Sequence, residues 1–155
     1  MNYKVAILMG SPNDADKMAP AATTLERYNI EADVRVMSAH RSPALVSDFT
    51  QTARQNGYSA IICGAGMAAH LAGAVAAHTT LPVIGVPLSG GAINGWDSLL
   101  ATVQMPKGIP VATVAVDGAM NAALLVVQIL AINDPDLVTQ LEAHRQEMVP
   151  QQGGK

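Results

Sequence analysis

Short apolar runs that end in turn residues recur along this chain of 155 residues, and apolar residues at helical spacing follow them. The run from Val5 to Met9 comes first and ends at the segment GSPND, after which apolar residues recur every three or four positions. A buried parallel strand followed by a helix produces this pattern. Because parallel neighbours need a crossover connection, alternating units of this kind predict a parallel sheet with helices on both faces.

The same pattern predicts the remaining elements. Further strands are expected at Glu31 to Val36, Ala60 to Cys63, Val83 to Val86 and Val111 to Val116. Helices are expected after each of the first three strands, at Ala119 to Ile132, and after the cap Asn133 to Asp136. Helical spacing places Leu45, Phe49 and Ala53 on one face of the second helix, and Leu137, Leu141 and Met148 on one stripe of the last. The predicted fold is a three-layer α/β/α sandwich with a central parallel sheet, in one domain over residues 1–150 with a flexible tail at 151–155.

Composition narrows the function classes. Hydrophobic residues make up 50% and charged residues 14% of the chain, so we expect apolar surface to be covered by other subunits. A formal net charge of −3 without a Lys/Arg run argues against nonspecific nucleic-acid binding. The apolar runs are shorter than the roughly 20 residues that span a bilayer, and the N-terminus lacks a signal-peptide pattern, so a soluble, cytoplasmic protein is expected. Cys63 is the only cysteine, which excludes an intrachain disulfide.

Four segments at strand ends carry the residues that could do chemistry: GSPND, MSAHRSP, GAGMAAH and PLSGGAINGWD. In an open α/β sheet, ligands bind outside the carboxyl ends of the strands, so these segments should converge on one rim. In the first of them, Gly10 permits a tight turn, and Ser11 beside a helix N-terminus suits an anion such as a phosphate. Asp14 could accept hydrogen bonds from sugar hydroxyls. The alternative is that Asn13 or Asp14 merely caps the helix.

The segment MSAHRSP combines a proton carrier with a permanent cation. Arg41 presents a planar fork suited to phosphate, and His40 exchanges protons near neutral pH. Ser42 and Pro43 are typical of a helix start, which places His40 and Arg41 on the strand-to-helix turn. The alternative is an exposed loop histidine beside a surface arginine. Metal-ligand spacing and a Gly-x-Ser-x-Gly elbow are both missing, which favours proton transfer directly between His40 and a substrate.

The other two segments allow more than one interpretation. GAGMAAHLAG lacks the ending of a dinucleotide fingerprint, so it is interpreted as a loop whose amides approach a ligand closely, and His70 either lines the site or sits in the first helical turn. PLSGGAINGWD is either a mobile flap or a contact with a neighbouring subunit, and Trp96 is expected to be a packing residue. Cys63 is expected to be a buried structural thiol, and His78 and His144 structural or surface residues.

The segments MGSPND, SAHRSP, GAGMAAHLAG, GWDSLLATVQMPKGIPVATV and NAALLVVQIL together resemble the class I N5-carboxyaminoimidazole ribonucleotide mutases of purine biosynthesis, from about Val5 to Ile132. The resemblance implies a flavodoxin-like fold and a mutase, without metal or other cofactor, that moves a carboxylate from N5 to C4 of an aminoimidazole ribonucleotide. It also implies a homo-octamer with sites at subunit interfaces.

The resemblance also implies roles for individual residues. His40 would be the general acid and base, with His70 in support, and Ser11, Asp14 and Arg41 would hold the phosphate and ribose. The full predicted site has His40 and His70 as catalytic residues, and Gly10, Ser11, Asp14, Ser38, Ala39, Arg41, Gly64, Ala65 and Gly66 as substrate-binding residues.

Two stretches depart from the family pattern, and rival functions stay open. Met67 stands where a glycine is expected and would narrow the pocket, and Ser89 to Gly91 do not match the usual loop. The nearest rival is the class II relative, which carboxylates aminoimidazole ribonucleotide with CO2 and typically reads SAHK-T. Arg41 and Pro43 favour class I. A non-catalytic nucleotide-binding module would keep Ser11, Asp14 and Arg41 without needing His40, and a structural oligomer would need no ligand.

Overall fold

A five-stranded sheet in the order β2-β1-β3-β4-β5 organises the computed structural model, which describes residues 2–150. The strands are β1 (Lys4–Met9), β2 (Glu31–Val36), β3 (Ala60–Gly66), β4 (Val83–Leu88) and β5 (Ala112–Thr113). The helices are α1 (Ala15–Arg27), α2 (Pro43–Ala53), α3 (Leu71–Ala76), α4 (Trp96–Val103), α5 (Ala119–Ala131) and α6 (Pro135–Met148). A short 3-10 helix, Pro12–Asp14, precedes α1.

All neighbouring strands pair in parallel, which confirms the predicted α/β sandwich. One core lies between the sheet and α1, α5 and α6, and it holds Ile7, Ile62, Val126 and Leu137. The second core lies on the other face, under α2 and α3. Because β1 is flanked by β2 on one side and β3 on the other, the chain crosses over in opposite directions from β1. That reversal opens a crevice at the carboxyl ends of β1 and β3, where open α/β sheets bind ligands.

The sequence-based boundaries differ from the structure at the far edge of the sheet. The strand predicted at Val111 to Val116 is reduced to Ala112–Thr113. The chain beyond it stays beside β4 without regular pairing, since the Val114 amide donates to the Gly85 carbonyl at 3.2 Å and the Asp117 amide to the Pro87 carbonyl at 2.9 Å. Helix α4 is absent from the predicted elements. Its start is unusual, since the N-cap Gly95 has a left-handed φ of 99° and follows a glycine-rich loop.

Two predicted helix faces are confirmed only in part, because one predicted residue of each is exposed. Phe49 and Ala53 of α2 and Leu141 of α6 do contact the core. Helix α2 buries Val46, Thr50 and Ala53, whereas Leu45 is 53% exposed. Thr50 is accommodated because its hydroxyl donates to the Val46 carbonyl at 2.6 Å. Because Thr50 is polar, a search for apolar residues alone does not identify the buried face of α2. In α6, Leu137 is buried but Met148, in the last turn, is exposed.

Within residues 2–150, none of the helices has the length and apolar character needed to cross a membrane. The tail predicted at 151–155 lies outside the described residues.

Candidate active site

A cavity of about 700 Å³ opens at the carboxyl ends of the strands, between the loops that follow β1, β2, β3 and β4. The four segments singled out in the sequence therefore do meet at one rim. Of the predicted site residues, those that line this cavity are Gly10, Ser11, Asp14, Ser38, Ala39, His40, Arg41, Ala65 and Gly66. Gly64 and His70 do not line it.

Gly64 serves packing in this structure. It lies inside β3, paired between Met9 and Val86, and its carbonyl accepts from the Gly10 amide at 3.3 Å. A Cβ at this position would lie 2.3 Å from the sulfur of Met18. Gly64 therefore lets α1 approach the sheet, and it contributes no surface to the cavity.

The loop after β1 leaves the Asp14 carboxylate available to the cavity. Ser11 caps the 3-10 helix, because its hydroxyl oxygen accepts from the Asn13 amide at 3.2 Å. Asp14 occupies the N-cap position of α1 but makes no side-chain capping bond, so the capping interpretation is wrong for Asp14. Desolvation raises the pKa of Asp14, and a hydrogen bond from the Ser11 backbone, with the nearby Lys17 and Arg41, offsets only part of that rise.

The turn after β2 is held by two serines. The Ser38 hydroxyl accepts from the Arg41 amide at 3.2 Å, and the Ser42 hydroxyl donates to the Ser38 carbonyl at 3.1 Å. Ser42 and Pro43 do begin α2, as predicted, although the Ser42 side chain points back into the turn instead of capping the helix. The Arg41 guanidinium donates to the Gly10 carbonyl at 2.7 Å, which ties the β2 loop to the β1 loop.

His40 and His70 form a hydrogen-bonded pair. Nε2 of His40 lies 2.8 Å from Nδ1 of His70, and the rings meet edge to face with their centroids 4.9 Å apart. One of the two facing nitrogens carries the proton and the other accepts it. His70 is the N-cap residue of α3 but makes no side-chain capping bond there. The pair connects a cavity-lining imidazole to a second proton carrier.

Met67 adopts a backbone conformation that suits glycine. Its φ is 51°, in the left-handed region that costs a residue with a side chain about 1 kcal/mol. The side chain is 60% exposed and lines the cavity, where its Cγ lies 3.1 Å from the position of a Cβ at Gly91. Met67 therefore narrows the mouth of the cavity against the loop after β4.

A polar cluster that sequence analysis did not single out lies at the same rim. Lys17 Nζ donates to the Ser89 carbonyl at 2.6 Å and to the Ser89 hydroxyl at 2.8 Å. Ser89 donates to Asp117 from its amide at 2.9 Å and from its hydroxyl at 2.5 Å. Lys17 and Ser89 line the cavity. Only folding brings these groups together, because Lys17 and Ser89 are 72 positions apart.

The remaining candidates divide between core and surface. Cys63 is buried, as predicted, and desolvation raises the pKa of its thiol well above the usual range. The packing role expected for Trp96 is wrong within this chain, because the side chain is 67% exposed. His144 is buried edge-on to Tyr28, and His78 is exposed with Nδ1 2.8 Å from the Ala74 carbonyl.

Among the described residues, no group of three or more His, Cys, Asp or Glu side chains lies close enough together to hold a metal ion.

Known proteins resemble this chain over nearly its whole length. The sequence profile of the AIR carboxylase family matches residues 4–151. An N5-carboxyaminoimidazole ribonucleotide mutase of Pyrococcus abyssi is 50% identical over 145 residues, 94% of this chain and 83% of that protein. The mutase of that name from Bacillus subtilis is 49% identical over 148 residues, 94% of this chain and 91% of that protein. The crystal structure of Treponema denticola PurE superposes with a TM-score of 0.84 at 26% identity, covering 96% of this chain and 95% of that one. This chain therefore belongs to the AIR carboxylase family.

Proposed function

We propose that this chain is an N5-carboxyaminoimidazole ribonucleotide mutase, an isomerase that forms 4-carboxy-5-aminoimidazole ribonucleotide in de novo purine biosynthesis. The observation that carries the proposal is identity of about half to mutases of that name over 94% of the chain. The cavity supports it, since an imidazole and a guanidinium line one site large enough for a ribonucleotide.

His40 is the proposed proton carrier in a reaction of two steps. The N5–carboxylate bond breaks, its electron pair stays on N5, and His40 donates a proton to that nitrogen. C4 then attacks the released CO2 and forms the C4–carboxylate bond. His40 removes the proton from C4, which leaves the carboxylate attached to that carbon. Protons and electrons balance, so the reaction needs neither a cofactor nor an oxidant. His70 orients His40 through the 2.8 Å contact and shares its proton.

The phosphate and ribose would lie toward the loops after β1 and β2. Arg41 already bonds the Gly10 carbonyl through one nitrogen, and a guanidinium has further donors that can reach a phosphate. The N-terminal end of α1, a helix of 13 residues, adds partial positive charge beside Ser11. Asp14, whose carboxylate is not used as a cap, would accept from the ribose hydroxyls.

The same proposal includes a homo-octamer working in the cytoplasm. The support for assembly is the apolar surface that a single chain leaves in contact with water. Seven apolar residues are at least 46% exposed: Val34, Val36, Leu45, Ile93, Trp96, Leu100 and Val103. Apolar exposure on this scale marks surfaces that associate. Sites that lie between subunits would also exclude water from the CO2 intermediate.

The test supplies purified protein with each candidate substrate separately. The carbamate N5-carboxyaminoimidazole ribonucleotide should be converted to the 4-carboxy product without ATP, while aminoimidazole ribonucleotide with bicarbonate should give no comparable rate. Turnover of the second substrate pair alone would assign the class II carboxylase reaction. If the protein binds the ribonucleotide tightly but converts neither substrate, it is a non-catalytic nucleotide-binding module.

A further inference from the structure

The cluster of Lys17, Ser89 and Asp117 joins three separate parts of the chain at the cavity rim. Lys17 lies in the first turn of α1, Ser89 directly follows β4, and Asp117 lies in the turn before α5. Ser89 is the centre, because it accepts two hydrogen bonds from Lys17 and donates two to Asp117. Four bonds at one residue fix both its backbone and its side chain.

Ser89 begins a glycine-rich loop in which four residues have positive φ. Gly90, Gly91, Asn94 and Gly95 all have positive φ, at 139°, 66°, 50° and 99°. Glycines lose more backbone freedom on ordering than any other residue, so ordering this loop is costly. Residues 91–94 are exposed, so they contribute little burial to offset that cost. Contacts at the ends of the loop must therefore supply much of its order.

The bonds at Ser89 are of the strong, charge-assisted kind. Lys17 brings a positive charge and Asp117 a negative one, and Ser89 is partly shielded from water between them. Partial burial by itself would raise the pKa of Asp117, but the two hydrogen bonds from Ser89 and the nearby Lys17 together lower it below its usual value. The carboxylate is thus held ionised, as an anchor for Ser89.

We propose that Lys17 is a positioning residue, which acts through Ser89 to hold the Ser89–Gly91 wall of the cavity in its substrate-binding shape. The inference rests on the proposed mutase function and adds a residue to its machinery. When the anchor is lost, the wall occupies the binding-competent shape for a smaller fraction of the time. Apparent affinity falls by that fraction, whereas the rate at saturating substrate is preserved, because bound substrate selects the competent shape.

Steady-state kinetics of Lys17→Met and Ser89→Ala test whether apparent affinity falls while the rate at saturating substrate is preserved. A lost charge-assisted hydrogen bond corresponds to roughly a tenfold change in an equilibrium, so Lys17→Met should raise KM about tenfold and change kcat less than about twofold. Ser89→Ala should raise KM by a smaller factor, because the Ser89 carbonyl still accepts from Lys17 and the Ser89 amide still donates to Asp117. The double variant should resemble Lys17→Met, and Lys17→Arg should recover part of the loss. Lys4→Met is the matched control, since Lys4 lies at the opposite end of the sheet, paired with Glu31.

A Lys17→Met enzyme with unchanged KM would overturn the proposal. So would a high KM in Lys17→Met combined with wild-type hydrogen exchange of the 89–95 amides, because Lys17 would then contact the substrate directly. Hydrogen exchange of the 89–95 amides, measured without substrate, separates this inference from the mutase function. Exchange should be about tenfold faster in Lys17→Met, and faster to a smaller extent in Ser89→Ala, than in the wild type and Lys4→Met. Equal exchange in all four proteins would refute the anchoring role even if no substrate is ever turned over.

Discussion

His40 and Arg41 are neighbours in the chain, yet they make contact with different loops. Arg41 reaches back to the Gly10 carbonyl, and His40 reaches His70 on the loop after β3. Adjacent side chains on a turn can diverge in this way, because a turn does not hold them on one common face. The two residues can therefore serve opposite ends of one substrate, one at the phosphate and one at the reacting carbon.

Replacing His40 by Asn should remove proton transfer while leaving the phosphate-binding groups in place. General acid–base catalysis typically contributes 10²–10⁴-fold, so kcat is expected to fall by at least about 100-fold. Calorimetric titration with the product nucleotide should still give a Kd within a few fold of the wild type. His78→Asn, at an exposed position where the ring meets the Ala74 carbonyl, is the control. Full activity in His40→Asn would show that His40 is not the proton carrier.

Cys63 should not react with thiol reagents in the folded protein. Its side chain is 2% exposed, and desolvation raises the pKa of the thiol, so the reactive thiolate is both hidden and unpopulated. Labelling by a chromogenic disulfide reagent at pH 8 should be at least about 100-fold slower than in urea-unfolded protein. Equal rates in both states would contradict the burial of this residue.

At the scale of elements, β2 is an edge strand that carries a polar and aromatic cluster. Asp33 accepts from Arg35 at 2.9 Å and from the Tyr58 hydroxyl, and the Arg35 guanidinium lies 4.8 Å from the centre of the Phe49 ring. These contacts join β2 to α2 and to the turn before β3. Charged side chains on an edge strand also discourage its pairing with another sheet.

Stability should depend on pH through Asp33. Burial tends to raise its pKa, but hydrogen bonds from Tyr58 and Arg35 and the nearby Lys4 lower it overall. A lowered folded-state pKa means that the stabilisation is present above the unfolded-state pKa, about 3.9, and is lost as pH falls through the folded-state pKa. Asp33→Asn should therefore cost about 1 kcal/mol at pH 7, and the difference from wild type should shrink below pH 4.

Urea unfolding of both proteins at pH 7 and pH 3 measures this difference. Asp48→Asn, at an exposed position of α2, serves as the control and should change little at either pH. A penalty for Asp33→Asn that is equal at both pH values would show that the Asp33 charge is not the stabilising feature.

Gly85 sets how closely α4 approaches the sheet. A Cβ there would lie 2.4 Å from Thr102 Cγ2 and 3.0 Å from Val111 Cγ1. Gly85→Ala should therefore destabilise the fold by about 1–3 kcal/mol through overpacking. Gly73→Ala is the contrast, because a Cβ there meets only the flexible end of Met105, with its sulfur 3.2 Å away. Thermal unfolding should separate the two variants, and a Gly85→Ala protein as stable as wild type would show that α4 can shift freely.

At the scale of the whole molecule, α4 presents an apolar stripe to water. Trp96, Leu100 and Val103 are 67%, 51% and 46% exposed, and their spacing of four and three places them on one side of the helix. A small protein that remained monomeric would rarely expose such a row. The stripe is therefore our proposed contact between subunits.

Leu100→Glu should weaken assembly, because a buried unpaired carboxylate costs several kcal/mol. Size-exclusion chromatography with light scattering should show an oligomer for the wild type and a smaller species for the variant. Thr139→Glu, which places the same charge on an exposed position of α6, should assemble normally. A wild-type monomer would contradict the assembly, and an unchanged Leu100→Glu oligomer would place the contact elsewhere.

The sequence by itself determined most of the sheet, because β1, β3 and β4 are local apolar runs that signal burial without reference to the rest of the chain. It also determined the rim, since GSPND, SAHRSP and GAGMAAH each follow such a strand and parallel strands end on the same side. The edge strand β5 and helix α4 were less predictable, because both depend on how the chain packs around β4.

Tertiary structure alone decided which side chains meet at that rim. The His40–His70 pair spans 30 positions, and the Lys17–Ser89 bond spans 72. It also decided that Gly64 packs against Met18 and that Trp96 faces water. The physical reason is the distance along the chain over which each signal extends. Hydrophobic periodicity is a property of a single element, whereas a hydrogen bond of about 3 Å between two loops forms only after the whole sheet has set the distance between them.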